Sequence, residues 1–414
     1  MSQIKLIPTK LKGKVSVPPS KSLAHRAIIA ASLAKGISRI DHIEYSQDIK
    51  ATIGAMEALG TIIEQHEDYL IINGNYTFTK NNTMPGVQID CEESGSTLRF
   101  MVPISLAKEN KVRFIGRGQL GKRPLDTYYE IFERQNIGYL YRENVLDLNV
   151  VGELKPDLYR IPGNISSQFI TGLLFALPLL SFDSIIEITT PLESKGYIDL
   201  TLQVLKLYGI EIVNHEYKQF IVRGRQEYKA KDYRVESDFS QAAFYLVAGA
   251  LGNDVTLLDL NLDSLQGDKA TIDFLKQMNC EIVENDEGIK VVSHGLKATT
   301  VDARQCPDVI PVVSLALALA SGHSEVINAG RLRIKECDRL QATVEELNKL
   351  KAHAVEHESS MELDDHRMAM MLAIASTVCK EPVIIDNKEC VKKSYPSFWE
   401  DFEMLGGKID GGNL

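Results

Sequence analysis

The chain has 414 residues, and its 46 Lys and Arg against 56 Asp and Glu give a formal net charge of −10. That length exceeds what one small core organises and implies two or three domains. The acidic balance argues against sequence-independent binding to nucleic acid or to an anionic membrane, and 44% hydrophobic with 25% charged residues excludes a disordered or collagen-like chain.

Six cysteines, Cys91, Cys280, Cys306, Cys337, Cys379 and Cys390, are scattered without a CxxC pair or a matching His spacing. That pattern argues against a zinc site and a disulfide framework, fits a reducing compartment, and leads us to expect no metal. The opening residues lack the apolar stretch of a signal peptide, and the longest apolar runs, 169–182 and 309–320, are too short to span a bilayer. The expectation is a cytoplasmic protein.

In chain order, segments 23–34, 97–107, 167–180, 239–251, 309–320 and 366–377 are apolar or small on nearly every face. A helix without a polar face is buried on all sides. These segments recur with a period of about 70 residues, the last interval being shorter. Between them lie amphipathic helices that stop at Gly60, Asn136, Gly209, Asn279, Lys351 and Gly406. Gly or Asn suits the left-handed residue after a helix, where the chain turns into a strand. Each unit leaves room for about four short strands, such as Val87-Gln-Ile-Asp90 and residues 185–189. The alternation predicts an α/β (α+β) protein of six units in two domains, with buried helices inside and a short strand crossing as the boundary.

Polar residues precede every buried helix: Ser20-Lys21-Ser22 with Arg26, Glu93-Ser-Gly-Ser-Thr97 with Arg99, Ser166-Ser167-Gln168, Glu236-Ser-Asp238 with Ser240, Pro307-Asp308, and Asp364-Asp-His-Arg367. N-capping accounts for the serines and aspartates, Ser240 and Asp364 above all. It does not account for Lys21, Arg26, Arg99 or Arg367, because a cation is unfavourable at the positive end of a helix dipole unless an anion binds between them. Ser22 and Arg26, four apart, share one helix face. Three further basic clusters are Gly116–Pro124, Arg331–Arg339 and Val391–Pro396, where a solvated face explains Lys122, Arg331 and Lys392. No Walker A loop or dinucleotide fingerprint is present. The residues point to a site for a small, multiply anionic ligand, without metal.

At these residues the sequence resembles the 5-enolpyruvylshikimate-3-phosphate (EPSP) synthase family over its full length. The resemblance rests on Ser20-Lys-Ser-Leu-Ala-His-Arg26, Gly95 with Arg99, Arg123-Pro124, Ser166-Ser-Gln168, Ser194-Lys-Gly-Tyr197, Glu236 with Asp238, Leu332-Arg-Ile-Lys-Glu-Cys-Asp-Arg339, Asp365-His-Arg367 and Lys393-Ser-Tyr-Pro396. It implies the enolpyruvyl transferase fold, an inside-out α/β barrel: two domains of three βαβαββ units each, here 20–235 and the discontinuous 1–19 plus 236–414. It implies a monomer without cofactor that joins phosphoenolpyruvate to shikimate 3-phosphate, and inhibition by glyphosate competitive with phosphoenolpyruvate.

Carried over, Lys21, Ser22, Arg26, Ser166, Ser167, Gln168, Ser194, Tyr197, Asp308 and Lys335 would hold shikimate 3-phosphate. Lys21, Gly95, Arg123, Gln168, Arg339, Arg367 and Lys393 would hold phosphoenolpyruvate. Asp308, Glu336 and Lys21 would move protons, with Asp308 on the attacking hydroxyl.

Several positions depart from the family pattern. Glu93 replaces the usual Asn: it is protonated, or paired with Arg99 or Arg339, or it weakens phosphoenolpyruvate binding. Ser96 replaces Thr, Gly196 replaces Pro, and Arg331 stands where Asn or Ser is common. The segment 352–363 is short by roughly a β-hairpin, which reads as a trimmed periphery because both flanking motifs survive. Three rivals remain: a non-catalytic member that only binds the ligands, an enolpyruvyl transferase acting on UDP-N-acetylglucosamine, and a module acting on nucleic-acid ends. The second carries a cysteine where Gly118 stands here; the third conflicts with the acidic balance.

Overall fold

The computed structural model describes residues 3–78, 86–108, 111–142, 144–335, 337–350, 354–355 and 366–410. The chain divides into two compact units, Lys21–Val235 and the discontinuous pair Met1–Ser20 with Glu236–Leu414. Among the described residues the α-helices are α1 Lys21–Leu33, α2 Gln47–Ala58, α3 Gly95–Leu106, α4 Asp126–Gln135, α5 Ser167–Ala176, α6 Lys195–Leu207, α7 Phe239–Ala250, α8 Ala270–Gln277, α9 Ile310–Ala318, α10 Arg339–Lys349, α11 His366–Ser376 and α12 Phe398–Met404. The odd-numbered helices are the apolar segments, and the even-numbered ones alternate with them.

Burial follows that alternation. In α5, Phe169, Ile170, Leu173, Leu174, Phe175 and Ala176 are fully buried, and every residue of α7 is buried. At roughly 1.5–3 kcal/mol for each large side chain removed from water, these helices are the main source of core stability. The amphipathic helices end as their sequences require: Asn136 has φ 55°, Asn279 70°, Gly209 82° and Gly406 90°. Lys351 lies outside the described residues.

Among the described residues, unit Lys21–Val235 holds three four-stranded sheets. In two of them a parallel pair is bridged by a buried helix, and in all three an antiparallel hairpin follows the amphipathic helix. Val87–Asp90 pairs in parallel with Lys111–Ile115 across α3, which then joins the hairpin Gly138–Arg142 and Val145–Val151. Leu158–Ile161 and Ser184–Ile188 repeat the pattern across α5 with Ile212–His215 and Gln219–Val222. The sheet of Ile37–Asp41 takes its parallel partner from the far end of the unit, Tyr233–Arg234.

The other unit is built likewise. Lys12–Ser16 pairs in parallel with Asp254–Leu258, and Ile4–Ile7 lies between Val383–Ile385 and Lys408–Asp410. Thr300–Asp302 and Glu325–Ile327 pair in parallel. Most of the shortened segment 352–363 lies outside the described residues. Within this unit the two chain crossings run side by side, with the Ser20 N–H donating to the Glu236 carbonyl at 2.7 Å and Asp238 N–H to Pro18 at 2.9 Å.

One packing detail positions the site. Pro103 inside α3 lacks the N–H that would bond the Arg99 carbonyl, and that carbonyl accepts the buried Tyr128 hydroxyl instead. Across from it, a Cβ on Gly172 of α5 would lie 2.8 Å from the Tyr128 hydroxyl and 2.9 Å from Pro103 Cγ. Glycine there lets α3 and α5 approach closely, bringing their N-termini together.

Candidate active site

In unit Lys21–Val235, Lys21 opens α1 and donates from Nζ to Asp48 Oδ2 at 2.7 Å. Arg26, one turn further and 3% exposed, is held on three sides. It donates from Nη1 to the Ser22 carbonyl at 2.6 Å, from Nε to Thr201 Oγ1 at 2.8 Å, and from Nη2 to the Tyr197 carbonyl at 3.0 Å. Burial lowers its pKa to about 10, partly offset by Tyr197, so it stays a cation at neutral pH. Ser194, fully buried with φ 56°, precedes α6, and the Tyr197 N–H donates to its carbonyl at 3.1 Å. Lys21, Ser22 and Arg26 thus share an α1 end tied to the start of α6.

Ser94 caps α3, accepting the Thr97 N–H on Oγ at 3.1 Å, and Gly95 is the first helical residue. The Arg123 guanidinium lies against Gly95, its Cζ 2.9 Å from where a Cβ would be. Ser166 caps α5, accepting the Gln168 N–H at 3.3 Å. Gln168 bridges the two helices: Nε2 donates to Ser96 Oγ at 2.9 Å, and Oε1 accepts from Arg99 Nη1 at 2.8 Å. Arg99 also donates to the Pro124 carbonyl at 3.0 Å and lies 4.9 Å over the Phe169 ring.

The sequence places Arg99 among the anion-seeking cations, but the structure gives it a local role. Its guanidinium holds Gln168 and the Arg123–Pro124 turn, because a buried cation needs protein acceptors. Glu93 is exposed and its carboxyl tip sits over Gly118, 2.5 Å from where a Cβ would be. Lys122 is exposed, as a solvated face requires.

In the other unit, Asp308 precedes α9. Its Oδ1 accepts from Arg339 Nη1 at 2.6 Å and lies 3.5 Å from Lys335 Nζ. Arg339 is 2% exposed, against 18% for each of the others. Asp338 caps α10 through the Gln341 N–H at 3.0 Å and takes Arg333 at 2.7 Å, which fixes the chain on either side of Lys335 and Arg339. Lys393 is half-buried and closes a 3₁₀ turn whose end is anchored by Tyr395, donating to Asp401 Oδ2 at 2.7 Å. Asp238, rather than Ser240, caps α7: its Oδ1 accepts the Ser240 N–H at 2.7 Å. Glu336, Asp364 and the Arg367 side chain lie outside the described residues.

Sequence reading missed Asp48, Thr52, Thr171 and Thr201, the acceptors of Lys21, His25 and Arg26. Each sits in an ordinary helical pattern, so no local signal marks it. Within each unit, fixed cations stand at or beside helix starts with few acids among them, an arrangement suited to multiply charged anions.

A family model described as EPSP synthase (3-phosphoshikimate 1-carboxyvinyltransferase) matches residues 6–402. The chain is 55% identical over 435 residues to the 3-phosphoshikimate 1-carboxyvinyltransferase of Clostridioides difficile strain 630, covering 100% of both chains. It is 54% identical over 433 residues to that of Clostridium beijerinckii, again covering 100% of both. Among solved structures it is similar to an EPSP synthase from Acinetobacter baumannii, with a TM-score of 0.80 at 22% identity over 99% of this chain and 100% of that one. No helix among the described residues is long and apolar enough to cross a membrane. On a full-length match at this identity, the chain belongs to the EPSP synthase (3-phosphoshikimate 1-carboxyvinyltransferase) family.

Proposed function

We infer that this chain transfers the carboxyvinyl group of phosphoenolpyruvate to the 5-hydroxyl of shikimate 3-phosphate and releases phosphate, a step of the shikimate pathway to the aromatic amino acids. The observation that carries this is the 55% identity with the C. difficile 3-phosphoshikimate 1-carboxyvinyltransferase across both full chains.

The reaction is an addition followed by an elimination. The 5-oxygen bonds to C2 of phosphoenolpyruvate as its proton leaves and C3 gains one, giving a tetrahedral ketal. C3 then loses a proton, the double bond returns, and the C2–O bond to phosphate breaks. One base and one acid suffice, with cations where negative charge sits. Asp308 takes the hydroxyl proton, its position fixed by Arg339 and Lys335. Glu336 or Lys21 serves C3.

Shikimate 3-phosphate is held by Lys21, Ser22, Arg26, Ser166, Ser167, Gln168, Ser194, Tyr197, Asp308 and Lys335. The tethered Arg26 and the serines face its phosphate through charge-assisted hydrogen bonds. Phosphoenolpyruvate is held by Lys21, the start of α3 at Gly95, Arg123, Gln168, Arg339, Arg367 and Lys393. Each domain consists of three βαβαββ units around buried helices. One chain carries every assigned residue, so a monomer works, and the chemistry calls for no cofactor.

Phosphate release tests the reading. Purified protein is given phosphoenolpyruvate with either shikimate 3-phosphate or UDP-N-acetylglucosamine. Release with the first alone is expected; release with the second, or with neither, overturns it.

A further inference from the structure

Beneath the starts of α1 and α3 runs a chain of buried side chains that no step above uses. His25 Nδ1 lies 2.7 Å from Thr52 Oγ1, Thr52 Oγ1 lies 2.7 Å from Thr97 Oγ1, and Thr97 Oγ1 donates to Ser94 Oγ at 2.8 Å. None of the four is more than 1% exposed, so water cannot stand in for a missing member. Ser94 Oγ also accepts the Thr97 backbone N–H, so the chain ends on the cap of α3.

Its polarity follows from the hydrogens available. Thr97 gives its one hydroxyl hydrogen to Ser94, the nearer of two acceptors, the Asp48 carbonyl lying 3.5 Å away; with either acceptor, Thr52 gives its own hydrogen to Thr97 and accepts from His25, whose proton then sits on Nδ1. Nε2 is left as a bare lone pair, and it is the buried atom without a partner. A lone pair is the less costly group to bury, since orphaned N–H donors are the rarer case in folded proteins. Burial holds the imidazole neutral, its pKa pushed down to about 3 with Lys21 and Arg26 adding to the effect against Asp48. The chain therefore keeps one direction across the neutral range.

A serine cap by itself can rotate about χ1. Here the oxygen is pinned by a second donor, and that donor is pinned in turn from α2 and α1. We propose that His25, Thr52 and Thr97 are positioning residues that hold Ser94, and with it the first turn of α3, in the geometry that takes phosphoenolpyruvate at Gly95. This rests on the assignment of that turn to phosphoenolpyruvate made above.

Thr52→Val removes the hydroxyl at nearly constant volume, Thr52→Ser keeps it, and Arg123→Ala checks the underlying assignment. Initial rates are measured with each substrate varied at saturating levels of the other, alongside Tm. Thr52→Val should raise KM for phosphoenolpyruvate about fivefold to tenfold, the worth of one buried hydrogen bond. KM for shikimate 3-phosphate and kcat should stay within about twofold, and Thr52→Ser should restore the wild-type values. If Arg123→Ala leaves KM for phosphoenolpyruvate unchanged, the assignment of the turn fails and this proposal with it. If Arg123→Ala raises it but Thr52→Val lowers only Tm, the chain is packing alone and the proposal is overturned.

Discussion

The guanidinium of Arg123 lies against the bare Cα of Gly95, with Cζ 2.9 Å from where a Cβ would stand. The first residue of α3 and the turn at Arg123–Pro124 are thus fitted to each other by the absence of one methyl group. Gly95→Ala must push Arg123 aside, and forcing a methyl into such a contact costs about 1–3 kcal/mol. We expect KM for phosphoenolpyruvate to rise about tenfold or more, with the dissociation constant of shikimate 3-phosphate unchanged by calorimetry. An unchanged KM would mean that Arg123 finds an equally good position.

Asp308 is assigned to the hydroxyl proton. Asp308→Ala should lower kcat by about 10²–10⁴-fold, while shikimate 3-phosphate still binds. The same change removes a carboxylate 2.6 Å from the 2%-exposed Arg339. Losing that buried ion-pair acceptor should cost about 1–3 kcal/mol in stability, read as a lower midpoint in urea. Near-normal turnover would end the assignment.

Glu93 and Gly118 exclude each other's alternatives. Gly118 has φ 55°, and its missing Cβ would sit 2.5 Å from Glu93 Oε1. Gly118→Ala should destabilise by about 1–2 kcal/mol, chiefly through backbone strain at this positive φ and to a smaller extent by displacing the exposed Glu93 carboxyl. Adding Glu93→Ala should recover part of that loss, and strict additivity in the double-mutant cycle would refute the contact. Glu93→Asn alone removes a carboxylate near an anionic substrate and should lower KM for phosphoenolpyruvate.

His25 makes stability depend on pH. Its folded pKa of about 3 lies below the ordinary histidine value of about 6.5, so the unfolded chain binds the extra proton as pH falls. By linkage, stability is unaffected above about pH 6.5 and falls with a limiting slope of about 1.4 kcal/mol per pH unit below it. His25→Asn should flatten that slope between pH 6 and pH 4 in urea titrations, and an unaltered slope would assign the acid sensitivity elsewhere.

The architecture was legible where local rules are strong. A helix such as α5, apolar on every face, has nowhere stable to sit but inside, and its recurrence announced the repeat. Asn136 and Gly209 marked helix ends because a left-handed residue after a helix excludes most side chains. The helix-start motifs were legible too, since a cation beside a helix N-terminus calls for a compensating anion.

What local pattern could not supply was which distant groups satisfy which. Ile4–Ile7 pairs with strands near residues 383 and 408, and Tyr233–Arg234 completes a sheet begun at Ile37. Those pairings depend on how complete units close, which no window of sequence contains. Arg99 looked like Arg123 in sequence, yet one guanidinium is engaged by Gln168 and Pro124 and the other lies against Gly95. Asp48 and Thr52 carry no signal at all in the sequence, and the fold sets them beside Lys21 and His25. The repeat, the buried helices and the charged helix starts are legible in the sequence because each follows from residues close in the chain. Which acceptors engage Arg26, Arg99 and Arg339 depends on the folded chain, because a buried charge is settled by the groups that packing brings to it.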